Sequence, residues 1–455
     1  MAMIKLNGKR VLVVGLAKSG AAMARFLTRK GAIVTVTDKA SESELKEFAL
    51  EMDSLGVKKE LGSHSPETFI NQDLIVLSPG VPHTLPQIKK AEDFSVPVIG
   101  EIELAASFIK EPIVAITGTN GKTTTTTLVS LMLEASGFSV FTGGNIGDPL
   151  TGYVDEAIAR DYVVVELSSF QLDTIKSFRP KIAVLLNITD DHLDRYSDFN
   201  AYARSKGRIF ENQEQDDIAI VNGDDAPSHA IGKVLQNRLY MFGSKGAGYS
   251  AVISRKSITI SLPATGTKTI DLSNTRLIGS HNRENIAAAA LATLAAGGSI
   301  ESIQRVVDTF PGLPHRIQYI DTVDGIDWYD DSKATNMDAV LRALDAFDRK
   351  LVLILGGRNK GGNYLQLKDS ILKSVSSVLA IGESSKEIKT VLGPHIKVTE
   401  MASLEDAVSR AHHEAKPGEC VLLSPACSSF DMFRNYEHRS QVFVDAVKRL
   451  KKEKD

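Results

Sequence analysis

Short β-branched apolar runs alternate with amphipathic stretches along this chain, and most of the runs break into a glycine-bearing polar turn. The clearest is Ile113-Val114-Ala115-Ile116, a buried-strand pattern. It is followed by Gly118-Thr119-Asn120-Gly121, and then by Lys122, Thr123 and Thr124 at the head of a helix that continues through Leu128, Val129, Leu131 and Met132. The same rhythm opens the chain: residues 10–38 read as strand, turn, helix and strand, and Asp73 to Leu77 reads as a strand ending in Ser78-Pro79-Gly80. Val163-Val164-Val165 leads into Glu166, and Ile182 to Leu186 leads into Asn187 and on to Asp190, Asp191 and His192. A helix is expected from Phe199, a turn-rich antiparallel excursion over 216–275, and an alanine-rich helix from Ile286 to Ala296. Farther on, Trp328 to Asn336 is expected to enter a helix. Leu351 to Leu355, Val378 to Ile381 and Cys420 to Leu423 read as strands, the last running through Ser424–Asp431 into a final helix. Strands alternating with helices predict an α/β protein with mostly parallel sheets.

Proline-bearing breaks at residues 108–112 and 310–314 divide the pattern into modules at 1–109, 110–311 and 312–455, within the two to four domains that 455 residues allow. Hydrophobic residues make up 43% and charged residues 24%, as in ordinary globular chains. A net charge of −3 argues against nucleic acid as the main partner. Two cysteines, Cys420 and Cys427, exclude a disulfide framework and point to the reducing cytoplasm. The alanine-rich helix is too short to span a bilayer, so no membrane insertion is expected, and the chain goes directly into a strand with no signal peptide.

The chemistry lies in the turns. Strand, glycine turn, Lys-Thr and helix is the layout of a phosphate cradle, with backbone N–H groups facing the anion, a lysine neutralising it and a hydroxyl for Mg²⁺. Only two residues separate Gly118 from Gly121, against four in the usual loop. A glycine turn with a chance lysine is the plainer alternative. Gly15, Ala17 and Gly20 form an imperfect dinucleotide fingerprint, with Asp38 at the end of the next strand. Both this turn and Ser78-Pro79-Gly80 lie where open α/β sheets bind ligands, unless they only connect elements. Glu166 and His192 follow strand ends on the rim expected for the phosphate loop, as Mg²⁺ ligands directly or through water. Lys206 reads from spacing alone as an ordinary exposed helix lysine. Asn285 heads the alanine-rich helix, where an amide either caps or pairs with an adenine edge.

Longer motifs carry a resemblance over the whole chain. GTNGKTTT, VVELSSFQL, NITDDHLDRY, HNRENIAAA, GLPHRIQ, DDSKATN and LSPACSSFDMF are similar to the signatures of the Mur ligase family, in which the short GTNGKT spacing is normal. DSKATN and SPACSSFD resemble its D-glutamate-adding branch. The resemblance implies three domains: a Rossmann-like N-terminal domain for a UDP sugar, a P-loop-type ATP domain with a mostly parallel sheet, and a Rossmann-like C-terminal domain that closes over both and receives the amino acid. It implies an ATP-dependent amide ligase of peptidoglycan precursor synthesis, using ATP, Mg²⁺, UDP-N-acetylmuramoyl-L-alanine and D-glutamate, cytoplasmic and monomeric. By residue, it places Gly118, Thr119, Asn120, Gly121, Lys122, Thr123, Thr124, Asn285, Arg316, Asp331 and Lys333 around ATP. Thr123, Glu166, His192 and a carbamylated Lys206 fall around the metal, and Lys122, His192 and Lys206 form the catalytic set. Leu16, Ala17, Asp38, Lys39 and Gly80 fall where uridine or its diphosphate is held, Asn145 and Ser168 on the substrate side, and Thr335, Lys360, Ser429, Phe430 and Tyr436 around D-glutamate. Ala40 stands where a basic residue can occur, and Ser440 where a glycine is common.

Three rival readings remain at this point. A sibling amide ligase is separated by its amino acid, a nucleotide-dependent oxidoreductase by NAD binding, and a non-catalytic nucleotide switch by the absence of phosphate release.

Overall fold

The computed structural model describes residues 4–156, 158–190, 195–246 and 248–452. The expected His192, with Asp191 and Asp194, lies outside the described residues. Among the described residues the chain forms three sheets of five, nine and six strands, and no helix is long and apolar enough to cross a membrane. By contacts it divides into two compact units, residues 1–274 with 284–308, and residues 275–283 with 309–455.

The first unit holds two sheets. The N-terminal one is wholly parallel, in the spatial order Lys58–Leu61, Ile33–Asp38, Arg10–Val14, Leu74–Leu77, Val98–Gly100. Val11, Leu12, Val13 and Val14 are all buried, as a parallel strand covered on both faces requires. The order reverses at Arg10–Val14, so Gly15, beyond its carboxyl end, lies at the topological switch point, the kind of crevice in which open α/β sheets bind ligands. In the central sheet the strands Val140–Gly144, Tyr162–Glu166, Ile113–Thr117, Ile182–Leu185, Ile218–Asn222, Arg238–Gly243 and Ala251–Ile253 follow one another in parallel. The antiparallel excursion expected over 216–275 needs correction. Only Ser257–Leu262 and Gly266–Asp271 run antiparallel, while the earlier strands extend the parallel sheet around a short helix, Ala226–Gly232. The misreading has a cause: Ile218–Asn222 is buried on both faces, and a short apolar run does not report strand direction.

A short helix, Glu101–Ala106, joins the two sheets and presents two buried acids. Glu101 accepts from the Thr151 amide and hydroxyl at 2.7 and 3.1 Å, and burial pushes its carboxyl up. Glu103 accepts from the amides of Lys176, Ser177 and Phe178 at 2.8–2.9 Å and from the Ser177 hydroxyl at 2.6 Å. Removing that carboxylate strands four donors at once, among them the buried Phe178 amide. Glu103→Ala is therefore expected to lower unfolding free energy by about 3 kcal/mol, read from the denaturation midpoint of the full chain.

The second unit contains one sheet in the order Gln318–Val323, Ile326–Asp330, Cys420–Leu423, Leu351–Gly356, Val375–Ile381, Val398–Glu400. It is parallel except for the first pair. Trp328 to Asp330 belong to a strand, with Trp328 fully buried opposite Val421. The helix expected there begins only at Met337, capped by Asn336, whose side chain accepts from the Ala339 amide at 2.8 Å. Asp331 to Thr335 therefore form a strand-to-helix loop, beside the loop that follows Cys420–Leu423.

Candidate active site

The phosphate-loop pattern folds as its residues require. The strand Ile113–Thr117 is buried throughout, and the helix Lys122–Ala135 starts directly after Gly121. Gly121 has φ 85°, and a Cβ there would lie 2.3 Å from Asn285 Oδ1. Gly118 has φ 153°, and a Cβ would meet Leu186 Cβ at 2.9 Å. Both positions thus need glycine for conformation and for space. Asn187 braces the loop reciprocally: its Oδ1 accepts from the Asn120 amide at 2.9 Å, and its Nδ2 donates to Asn120 O at 3.1 Å. The Thr119 hydroxyl accepts from the Thr189 amide at 3.0 Å and lies 3.2 Å from the Tyr202 hydroxyl. Asn285 reaches the same helix, accepting from the Thr125 hydroxyl at 3.3 Å. Thr124 is buried and Thr123 half-buried at the helix head.

Lys122 Nζ donates to Gly118 O and Thr119 O, each at 2.9 Å. Lys206 Nζ donates to the same Gly118 O at 2.8 Å. The exposed-lysine reading of Lys206 from spacing is therefore overturned: it is 2% exposed, and its Nζ lies 4.8 Å from the Tyr202 ring centroid. Its helix, Phe199–Gly207, is capped by Asp198, and Tyr202, Ser205 and Lys206 share the inward face at i, i+3 and i+4. Glu166 ends the strand beside the loop strand, in register with Ile116, and is 2% exposed. Its Oε1 accepts from Asn145 Nδ2 at 2.9 Å, while its buried Oε2 has no hydrogen-bond partner among the described residues. A buried carboxylate oxygen left over in this way suits a cation, and Thr123 sits at the helix head on the same rim. The described residues form no group of three or more His, Cys, Asp or Glu arranged to hold a metal.

Around the N-terminal turn, Gly15 has φ 92° and would clash with Val81 if it carried a Cβ. The Leu16 side chain is buried, and its amide donates to Asp38 Oδ2 at 2.7 Å, while Asp38 Oδ1 accepts from the Ala40 amide at 2.8 Å. Asp38 thus ties the turn to the loop that follows its own strand. Ala17, Lys39 and Gly80 are exposed along its rim. Ser168 caps a short helix in a reciprocal capping box with Gln171.

In the second unit, Asp331 is buried, accepting from the Ser424 hydroxyl at 2.7 Å and the Ile317 amide at 3.2 Å. Burial pushes its carboxyl up to about 7, against the Ser424 hydrogen bond and the Arg316 charge. His281 is driven down to about 4 by burial and by the charges of Arg342, Arg283 and Arg316, so it is neutral at pH 7. Lys333 lies over the Tyr436 ring, its Nζ 5.3 Å from the centroid. Thr335 is partly buried, Lys360 and Phe430 are exposed, and Ser429 is buried. Arg316 sits between two left-handed residues, His315 at φ 63° and Ile317 at φ 46°. For a β-branched residue that conformation costs about 1–3 kcal/mol and persists only where surrounding contacts hold it. Sequence reading passed over Asn187, Tyr202 and Asp330. Their partners are 67, 83 and 110 positions away, and no local pattern signals such pairings.

Three family models match the chain: "Mur ligase MurD-like, N-terminal domain" over residues 9–100, "Mur ligase middle domain" over 116–293, and "Mur ligase, glutamate ligase domain" over 315–427. A UDP-N-acetylmuramoylalanine--D-glutamate ligase of Desulfosudis oleivorans is 50% identical over 449 residues, covering 98% of each chain. One from Desulfatibacillum aliphaticivorans is 47% identical, covering 98% of this chain and 99% of its own. Among solved structures, the MurF ligase from Thermotoga maritima in complex with ADP shares the fold, with a TM-score of 0.63 at 17% identity, over 99% of this chain and 98% of that one.

Proposed function

The chain belongs to the Mur ligase family, and from that premise we propose that it joins D-glutamate to UDP-N-acetylmuramoyl-L-alanine at the expense of ATP. The observation that carries the reading is the convergence of Lys122 and Lys206 on Gly118 O, at the head of a helix whose neighbouring strand ends in Glu166. In this reading residues 1–109 hold the UDP sugar, 110–311 hold ATP, and 312–455 receive the amino acid. The chain acts as a monomer in the cytoplasm.

A carboxylate does not condense with an amine in neutral water, because oxide would have to leave. The alanyl carboxylate instead attacks the γ-phosphorus in line, forming an acyl phosphate and releasing ADP. The D-glutamate amine, having given up its ammonium proton, attacks the acyl carbon, and inorganic phosphate departs with the acyl C–O electron pair. Negative charge accumulates in both steps, so cations must be placed in advance. Lys122 meets the transferring phosphoryl group, and Arg316 and Lys333 meet the nucleotide phosphates. Asn285 reads the adenine, Asp331 the ribose, and Thr335, Lys360, Ser429, Phe430 and Tyr436 form the D-glutamate pocket. Glu166, Thr123, His192 and a carbamylated Lys206 would hold Mg²⁺, which would spread the phosphate charge.

The test is phosphate release with ATP, magnesium and UDP-N-acetylmuramoyl-L-alanine, offering D-glutamate, L-glutamate, L-alanine and a diamino acid in turn. Release is expected with D-glutamate alone. Preference for another amino acid would move the chain to a sibling activity, and no release with any would remove the ligase reading.

A further inference from the structure

The left-handed pair around Arg316 is tied down by a buried polar cluster that the reaction itself does not use. Asp330 is fully buried at the end of its strand and collects four donors. Its Oδ1 accepts from the Ser332 amide at 2.9 Å and the Ser332 hydroxyl at 2.5 Å. Its Oδ2 accepts from the Ser440 hydroxyl at 2.5 Å and lies 3.1 Å from His315 Nδ1. Ser440 Oγ is also 2.7 Å from His315 Nδ1. Proton counting settles the directions. Ser440 has one hydrogen and gives it to the carboxylate, so its oxygen accepts from His315 Nδ1–H. The ring is then held in the Nδ1–H tautomer, with a serine oxygen and a carboxylate on the same side. The backbone is fixed as well, since His315 O accepts from the Lys333 amide at 3.1 Å and the Ile317 amide donates to Asp331.

We infer that Ser440, through Asp330 and the His315 ring, is a positioning residue that holds the His315-Arg316-Ile317 arch and so aims Arg316 at the nucleotide phosphates. This rests on the reading of Arg316 as a phosphate contact. Ser440 is 2% exposed, and its hydroxyl bonds Asp330 and His315. It comes from the final helix, Tyr436–Lys452, and pins a loop 125 positions earlier. A serine here adds to the His315–Asp330 contact a second acceptor for the ring and a second donor for Asp330 Oδ2. A glycine at this position supplies neither.

The experiment is a double-mutant cycle on the full-length enzyme, with kcat and KM for ATP measured for the native chain, Ser440→Ala, Arg316→Ala and the pair, each checked for a native thermal transition. Ser440→Ala is expected to raise KM for ATP roughly 5–10-fold with little change in KM for D-glutamate. In the Arg316→Ala background the same substitution is expected to cost almost nothing, because its effect passes through that side chain. Full additivity in the cycle, or an unchanged KM for ATP in Ser440→Ala, overturns the inference. Where the alanine variant does not fold, Ser440→Cys, with a weaker polar atom of similar size, is read by the same two outcomes. Failure of the native chain to release phosphate would strike the ligase reading instead, so the two failures are distinguishable.

Discussion

Lys122→Ala is expected to reduce kcat for phosphate release by at least ~10²-fold, the scale of losing one preorganised donor at a site of developing charge. The side chain heads the helix Lys122–Ala135, which among the described residues has no side-chain cap. Helix N-termini present backbone donors to an anion, and the lysine adds full charge to that partial field. Two loop carbonyls, of Gly118 and Thr119, hold the ammonium, so its position is fixed before nucleotide arrives. Those bonds lie within its own loop, and their loss should leave the fold standing. An unaltered thermal transition together with collapsed kcat is therefore the expected pair of results. Lys122→Arg should recover little, since a planar fork does not replace a compact ammonium in a closed turn. Activity within about threefold of native in the alanine variant would withdraw the loop's assignment, because losing such a donor costs far more.

What the sequence disclosed and what it hid follow from the range of the forces involved. Ile113 to Thr117 and Lys122 were legible because strand burial, left-handed glycines and a helix start are each written within a few neighbouring residues. The same holds for Gly15 and the strands on either side of it. Strand direction was not legible over 216–275, since a buried five-residue run such as Ile218–Asn222 looks alike in parallel and antiparallel sheets. Nor was the burial of Lys206, which depends on Gly118, 88 positions away. Only the resemblance to known ligases gave that lysine a role beforehand. Asp38 was legible as a strand-end acid, but its bond to the Leu16 amide, 22 positions earlier, was not. Ser440 had no local reading at all, because its meaning lies in a proton given to Asp330.

Lys206→Ala should also cost on the order of 10²-fold or more in turnover, and should be partly restored by small carboxylic acids. The argument starts from charge. Lys122 Nζ and Lys206 Nζ bond one carbonyl oxygen, so the nitrogens can be no farther apart than about 6 Å. Two ammonium ions at that separation repel by about 3 kcal/mol at an effective dielectric near 20. Converting the Lys206 ammonium to a carbamate, by adding carbon dioxide and losing two protons, replaces that repulsion by attraction. It also places an anion on the rim that carries Glu166, whose Oε2 is left over among the described residues. Alanine removes the anion and opens a space for one, which formate or acetate can occupy. Mass spectrometry and carbon-13 labelling with bicarbonate read the modification directly. Rescue that rises with carboxylate concentration in Lys206→Ala, and not in Lys122→Ala, is the expected signature. A fully active enzyme whose Lys206 carries no added carboxyl group would show instead that the buried amine works as a cation.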